Sequence, residues 1–166
     1  MKHIRSFLII MIVIFISSTA LARPPEMNHR ECFANDGRFC KYMDGTVMDM
    51  SSGLMWAARD NGSDIDWLGA KYYCDNYRGG GYMDWRMPTQ DELASLYDPG
   101  RPRPSPCSYN FFINLTGMID LSCTFVWAFE AREAAAANFD FSSGQRVWNY
   151  QSYFGFLRAL PVRSGR

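Results

Sequence analysis

The period of hydrophobic and polar positions changes several times along this chain, and each change predicts an element. An unbroken apolar run, Phe7–Ile16, follows the basic residues Lys2, His3 and Arg5 and gives way to SSTALA, with small residues at Ala20 and Ala22. From Arg23 to residue 43 no period is visible, which predicts an arm without regular structure. GTVMD (Gly45–Asp49) alternates like a short strand, Ser51-Ser52-Gly53 turns it, and LMWAA (Leu54–Ala58) returns, a hairpin signature. After the Asn61-Gly62-Ser63 loop the period becomes helical. Asp64 or Asp66 can cap a helix from Trp67 to Tyr77 that puts Trp67, Ala70, Cys74 and Tyr77 on one buried stripe. Gly79-Gly80-Gly81 ends that helix. Thr89-Gln90-Asp91-Glu92 is a capping box and opens a second helix, packed through Leu93 and Leu96.

The pattern then breaks. DPGRPRPSP (Asp98–Pro106) places four prolines in nine residues, and no regular structure is expected there. Three late strands follow: Thr124–Phe129, Asn138–Phe141 leading into a Ser142-Ser143-Gly144 turn, and Arg146–Tyr150. A last strand is expected near Phe156–Val162. Between the first two late strands, AREAAAAN (Ala131–Asn138) favours helix by intrinsic propensity.

The basic start, apolar core and small-residue exit of residues 1–22 form a secretory signal peptide, with cleavage expected after Ala22. The alternative is an uncleaved membrane anchor. Spanning a bilayer takes roughly 20 apolar residues, and this core is shorter. The chain thus reads as leader (1–22), arm (23–43) and one domain (44–163), secreted or held in the periplasm or at the cell surface, with no stable membrane anchor after cleavage. Of 166 residues the leader takes 22, leaving 144, enough for a single domain with a real core. It also takes Lys2 and Arg5, so fifteen basic residues face 17 acidic ones, a net −2. That balance offers nucleic acid no basic excess. The remaining cations are nearly all Arg, which suits fixed carboxylate or sulfate partners. Five cysteines (Cys32, Cys40, Cys74, Cys107, Cys123) in an exported chain read as disulfides, with one thiol left over or paired between chains. Zinc is disfavoured, since no C-x-x-C occurs and His29 is the one histidine past the leader.

Candidate chemistry is sparse. No nucleophile has a visible base and orienting partner, so no catalytic residue is assigned. Asp91-Glu92 lies at a helix start, where the dipole explains both charges. Cys74 lies on a buried helical face and reads as an inert thiol. The late region concentrates Arg146, Trp148, Tyr150, Tyr153 and Phe154. Alternation puts Arg146, Trp148 and Tyr150 on one face of a strand, either a stacking platform with a fixed cation or the buried side of the sheet.

Several segments in order resemble the Lcl C-terminal domain family, a bacterial domain of largely uncharacterised members named after a collagen-like adhesin and similar to C-type lectin-like folds. They are DGTVMDMSSGLMWA (Asp44–Ala57), AKYYCDNYRGGGYMDWRMPTQDELASLYD (Ala70–Asp98), VWAFE (Val126–Glu130), NFDFSSGQRVW (Asn138–Trp148) and RALPVR (Arg158–Arg163). The stretch DWRMPTQDEL is the most specific. The resemblance implies an α+β, C-type-lectin-like fold, with two helices packed on small antiparallel sheets and stapled by disulfides. It also resolves Ala131–Asn138 towards loop.

Most of the family pattern reads as architecture. Trp56 supplies a core tryptophan beside the hairpin, and Trp67 and Trp127 are likewise expected in the core. Asp84-Trp85-Arg86 sets an aromatic plate between opposite charges. Either Asp84 and Arg86 clamp a ligand, or Arg86 ties down nearby carbonyls and carboxylates while Trp85 fills the core. Many relatives carry a cysteine in the last strand able to meet the helix cysteine, whereas Ala159 stands in RALPVR here. The simplest assignment then pairs Cys32 with Cys40 and Cys107 with Cys123 and leaves Cys74 a buried thiol. Pairing of Cys74 with the arm is the alternative. Sugar-binding C-type lectins hold calcium through Glu-Pro-Asn or Gln-Pro-Asp together with Trp-Asn-Asp. Neither first tripeptide occurs, and Trp148-Asn149-Tyr150 substitutes Tyr for the carboxylate, so no metal or cofactor is expected. The expected function is a non-catalytic binding module for glycan or another surface polymer. The alternatives are a protein-interaction or structural module of the cell envelope and, third, an enzyme of the formylglycine-generating type working through cysteine.

Overall fold

The computed structural model describes residues 31–165. The expected leader, its cleavage site and His29 lie outside the described residues. The Gly45–Ala58 pattern forms the predicted hairpin, β3 (Thr46–Asp49) and β4 (Leu54–Ala57), whose inward residues Val47 and Trp56 pair across it and are wholly buried. The arm is more regular than its sequence suggests. Ala34–Asn35 (β1) and Phe39–Lys41 (β2) pair antiparallel, and β2 continues onto β3. Strands of two and three residues are too short to display a period, which is why the pattern hides them. Gly37, at φ +94°, makes their turn, and the Cys32–Cys40 disulfide closes it. With β11 (Val162–Ser164) on the far side of β4, these strands form a five-stranded antiparallel sheet.

Helix α1 (Trp67–Asp75) starts at Asp66, whose carboxylate accepts the Gly69 N–H at 2.7 Å. It stops two residues before Tyr77, and a 3-10 turn at Gly79–Gly81 follows, with Gly80 at φ +64°. Tyr77 still packs against the core. Helix α2 (Gln90–Leu96) carries the complete capping box: Thr89 accepts the Glu92 N–H while Glu92 accepts the Thr89 N–H, and Leu93 and Leu96 are buried.

The proline-rich stretch is a strand, contrary to expectation. Tyr97–Ser105 (β5) pairs antiparallel with Ser108–Leu115 (β6) in a separate two-stranded ribbon, with register shifts between Tyr97 and Pro102 and between Pro104 and Ser105. Proline cannot serve a strand bonded on both sides, but β5 has one partner among the described residues, and proline's fixed φ suits extended chain. The Cys107–Cys123 disulfide ties the tip of this ribbon to the segment before the next strand.

Residues 131–138 correct both sequence readings, helix and loop. They complete a hairpin of β7 (Phe125–Arg132) and β8 (Ala135–Asp140), turned through Glu133 at φ +50°. Packing overrides propensity here. Ala136 and Ala137 point to opposite faces of the sheet and are fully buried in two different cores, and their small side chains let both layers approach closely. With β9 (Gln145–Tyr150) beside β8, and β10 (Leu157–Arg158) parallel to β7, the order is β10-β7-β8-β9. The expected single last strand is therefore two short ones in different sheets, with Pro161 between them.

The larger core gathers Val47, Trp56, Leu93, Leu96, Val126, Phe139 and Phe141 between the two sheets and α2. The smaller one lies on the opposite face of the four-stranded sheet, where α1 brings Ala70 and Cys74 against Trp127, Ala136 and Leu157. The described residues form an α+β fold, two helices with antiparallel sheets and two disulfides.

Candidate functional site

The face of β9 follows from its register. Arg146, Trp148 and Tyr150 pair with Phe139, Ala137 and Ala135, and directly opposed residues share a face. That face is the one α2 covers, but α2 reaches only as far as the first of them. Gln90 donates its carboxamide to the carbonyls of Asn138 (2.8 Å) and Val147 (3.2 Å), and Glu130 accepts the Gln90 N–H at 3.0 Å. These bonds fix the start of α2 on β8 and β9. Asp91 then meets Arg146 in an ion pair at the boundary.

Beyond α2 the row is open to solvent. Trp148 is 37% exposed, Tyr150 is 73% exposed, and the Arg146 side chain keeps 49% of its surface. The three residues read from alternation as sharing one side therefore do so on the outside. The structure adds a fourth, Arg132, whose guanidinium carbon lies 4.2 Å from the centre of the Trp148 ring. It pairs with Ala135, as does Tyr150, which puts it in the same row. Its signal was hidden because residues 131–138 read as a loop; a hairpin at that point would have placed it there. The outcome is an indole held flat by one Arg, a phenol beside it, and a second Arg half-neutralised by Asp91. An exposed cation–π contact of this kind contributes about 0.5–1 kcal/mol, and it restricts both side chains in advance of any ligand.

Asp84-Trp85-Arg86 lies elsewhere and is bonded inward. Asp84 takes both bonds from Arg163 (2.7 and 3.0 Å), and the Arg163 side chain is buried and stacked on Tyr82 at 3.9 Å. The Arg163 hydrogen bond holds the Asp84 carboxyl below the ordinary carboxylate range. Trp85 is 3% exposed, donates its indole N–H to Gly79 O at 3.1 Å and meets Tyr77 edge-to-face at 5.0 Å. Arg86 forks onto Glu92 at 2.6 and 2.8 Å and reaches Met87 O at 3.2 Å, and its backbone bridges to Val162 on β11. Burial alone would raise the Glu92 carboxyl, but Arg86 and the Thr89 N–H outweigh it and hold the group below its ordinary value. Each charge of the motif thus has a partner in the chain, and the motif joins α2 to the five-stranded sheet.

Trp56 and Trp127 are fully buried; Trp127 donates to Ile65 O at 2.8 Å, and half-buried Trp67 to Ala128 O at 2.9 Å. Cys32 is joined to Cys40 and Cys107 to Cys123, and Cys74 is a buried free thiol. Burial raises the Cys74 thiol far above its ordinary pKa, which suppresses the thiolate that any nucleophilic or redox role requires.

No curated protein matches this chain. The model of the Lcl C-terminal domain matches residues 45–163, which contain both helices, the inward-bonded Asp84-Trp85-Arg86 motif and the exposed row on β9, and the chain belongs to that family.

Proposed function

We propose that the protein is an exported, non-catalytic binding module whose ligand is an acidic or sulfated glycan, taken up on the exposed row of β9. One observation carries this reading. Trp148 and Tyr150 present ring surface to solvent side by side, flanked by Arg132 and Arg146. Aromatic faces stack on sugar rings, and guanidinium groups match carboxylate and sulfate in bidentate geometry. Export is supported by the leader-like residues 1–22 and by two disulfides, which persist in oxidising compartments. Among the described residues no helix is long and apolar enough to cross a membrane. The raised pKa of Cys74 speaks against cysteine chemistry of the formylglycine-generating kind.

A glycan array with and without chelator, followed by titration of Trp148→Ala and Arg146→Ala, tests the proposal. Discrete acidic or sulfated hits, insensitive to chelator and weakened more than tenfold by Trp148→Ala, are expected; removal of an anchoring aromatic typically costs at least about 2 kcal/mol of binding. Binding unchanged in Trp148→Ala would sink it. A protein partner in the cell envelope is the second reading, favoured by the exposed Tyr109, Phe111 and Phe112 on β6. Capture of one envelope protein, abolished by Phe111→Ser, would support that reading instead.

A further inference from the structure

The opposite face of β9 borders a cleft of about 280 Å3, lined by Phe125, Val147, Asn149, Tyr153, Phe156 and Leu157. Phe125 and Phe156 also line a second, neighbouring hollow of about 160 Å3 beside the Cys107–Cys123 disulfide, where Phe111 and Thr124 form the wall. The cleft's lining is aromatic and aliphatic, with the Asn149 carboxamide and the Tyr153 hydroxyl as its polar side-chain groups.

Behind the Val147 side of this cleft, covered by its lining, lies an anomaly. Asn138 is 0% exposed, and among the described residues neither its side-chain oxygen nor its side-chain nitrogen has a hydrogen-bond partner. Its register turns that side chain to the cleft side of the sheet. It pairs directly with Val147 on β9 and with Trp127 on β7, and its diagonal neighbours Phe125 and Asn149 also line the cleft. A carboxamide buried without partners is unfavourable, and a leucine of similar size would avoid that cost. The position therefore asks for a function, and the group offers an NH2 donor and a C=O acceptor to whatever displaces Val147 from above it.

A second anomaly stands on the rim. Phe156 has φ +59°, a left-handed conformation that a bulky L-residue rarely adopts. Its backbone is pinned there: the Phe156 N–H donates to the Asp64 carboxylate at 3.0 Å, and Asp64 is itself paired with the buried Arg158. Arg158 donates in turn to Ser122 Oγ at 2.6 Å, and Ser122 to Asp60 at 3.0 Å. Strain maintained by such a network marks a side chain held in place for a purpose. The backbone that carries this aromatic wall is thus fixed before a ligand arrives.

We infer that this cleft binds the acetamido group of an N-acetylated amino sugar, its methyl among Phe125, Phe156 and Leu157 and its amide on the Asn138 carboxamide, with Val147 changing rotamer to admit it. An acetamido group supplies an N–H for the Asn138 oxygen and a C=O for one N–H of its NH2, beside an apolar methyl that suits the lining. Tyr153 and Phe156 offer ring faces to the pyranose, and the adjoining hollow receives the next sugar. The site is on the far face of the strand from Trp148 and does not rest on the glycan reading of that face.

The test is calorimetric titration of the oxidised full-length protein with tri-N-acetylchitotriose, with cellotriose as the matched sugar lacking acetamido groups. The N-acetylated trimer binds at least tenfold more tightly. Asn138→Leu loses that affinity tenfold or more while its melting temperature is equal or higher. Should Asn138→Leu fail to fold, Tyr153→Ala, on the exposed loop, gives the same tenfold loss in a folded protein. Met50→Ala, in the exposed turn between β3 and β4, leaves the affinity within twofold. Equal binding of cellotriose, no binding of either trimer, or tighter binding of an N-acetyl-lysine peptide overturns the inference. So does a folded Asn138→Leu or Tyr153→Ala protein that binds as before.

Discussion

Truncating Trp85 to alanine tests whether Asp84-Trp85-Arg86 is architecture. Trp85 is 3% exposed, and deleting a buried tryptophan costs about 3–5 kcal/mol in lost transfer and cavity formation. Two specific contacts go with it. The indole N–H to Gly79 O is worth about 1 kcal/mol, and the edge-to-face contact with Tyr77 about 0.5–1.5 kcal/mol. The cavity range already contains part of both, so about 4 kcal/mol is expected. For a domain of this size each kcal/mol moves the melting temperature by roughly 3–5 °C, which gives a fall of roughly 12–20 °C. Trp85→Phe keeps the ring against Tyr77 and loses the N–H bond, and should recover half or more of that loss. Thermal denaturation followed by near-UV circular dichroism measures both. A melting temperature unchanged in Trp85→Ala, with glycan binding abolished, would show that the motif is a ligand clamp and the packing argument wrong.

Four further outcomes are expected. Trp148→Ala should lower the melting temperature far less than Trp85→Ala, because its indole is part-exposed on an edge strand; a collapse of the fold would place Trp148 in the core. Non-reducing peptide mapping should recover Cys32–Cys40 and Cys107–Cys123, and any cross-linked peptide containing Cys74 would contradict that pairing. Stability should fall on acidification. Asp49 and Glu92 are both raised by burial but lowered further by Arg38 with Ser51 and Ser52, and by Arg86 with Thr89, so their folded pKa values lie below the unfolded ones. That stability is complete above about pH 5 and is lost as pH drops from about 4.5 through the lowered folded values, which melting temperatures taken from pH 7 to 2 would record. Intact-mass measurement of the protein recovered from the exporting cell should give a chain beginning at Arg23, and a retained Met1 would refute the leader.

What was legible in the sequence was what has a period long enough to see. The capping box at Thr89 and the stripe from Trp67 to Cys74 need only local chemistry, and both helices stand where that chemistry puts them. β1 and β2 were invisible because two or three residues cannot show alternation. The prolines of β5 were misread because they forbid a strand with two neighbours, not a strand with one. The alanines of β8 were misread because their helical propensity is overruled by two cores that need small side chains back to back.

The candidate site divides along the same line. Alternation alone made Arg146, Trp148 and Tyr150 neighbours on one face, but alternation has no sign. The sign comes from the partner strand: Trp148 pairs with Ala137 and Tyr150 with Ala135 on the face that α2 covers only as far as Arg146, so the same row is core on β8 and surface on β9. Arg132 enters that row only through the turn at Glu133, and Asn138 shows its unpaired carboxamide only once its neighbours on both strands are known. Both are consequences of pairing between distant segments, and a residue's neighbours across a sheet are the part of its environment that linear spacing does not encode. If the Trp148 face and the Asn138 cleft both bind, β9 is an edge strand read from its two sides. Substitutions at its even positions would then change one affinity, and substitutions at its odd positions the other.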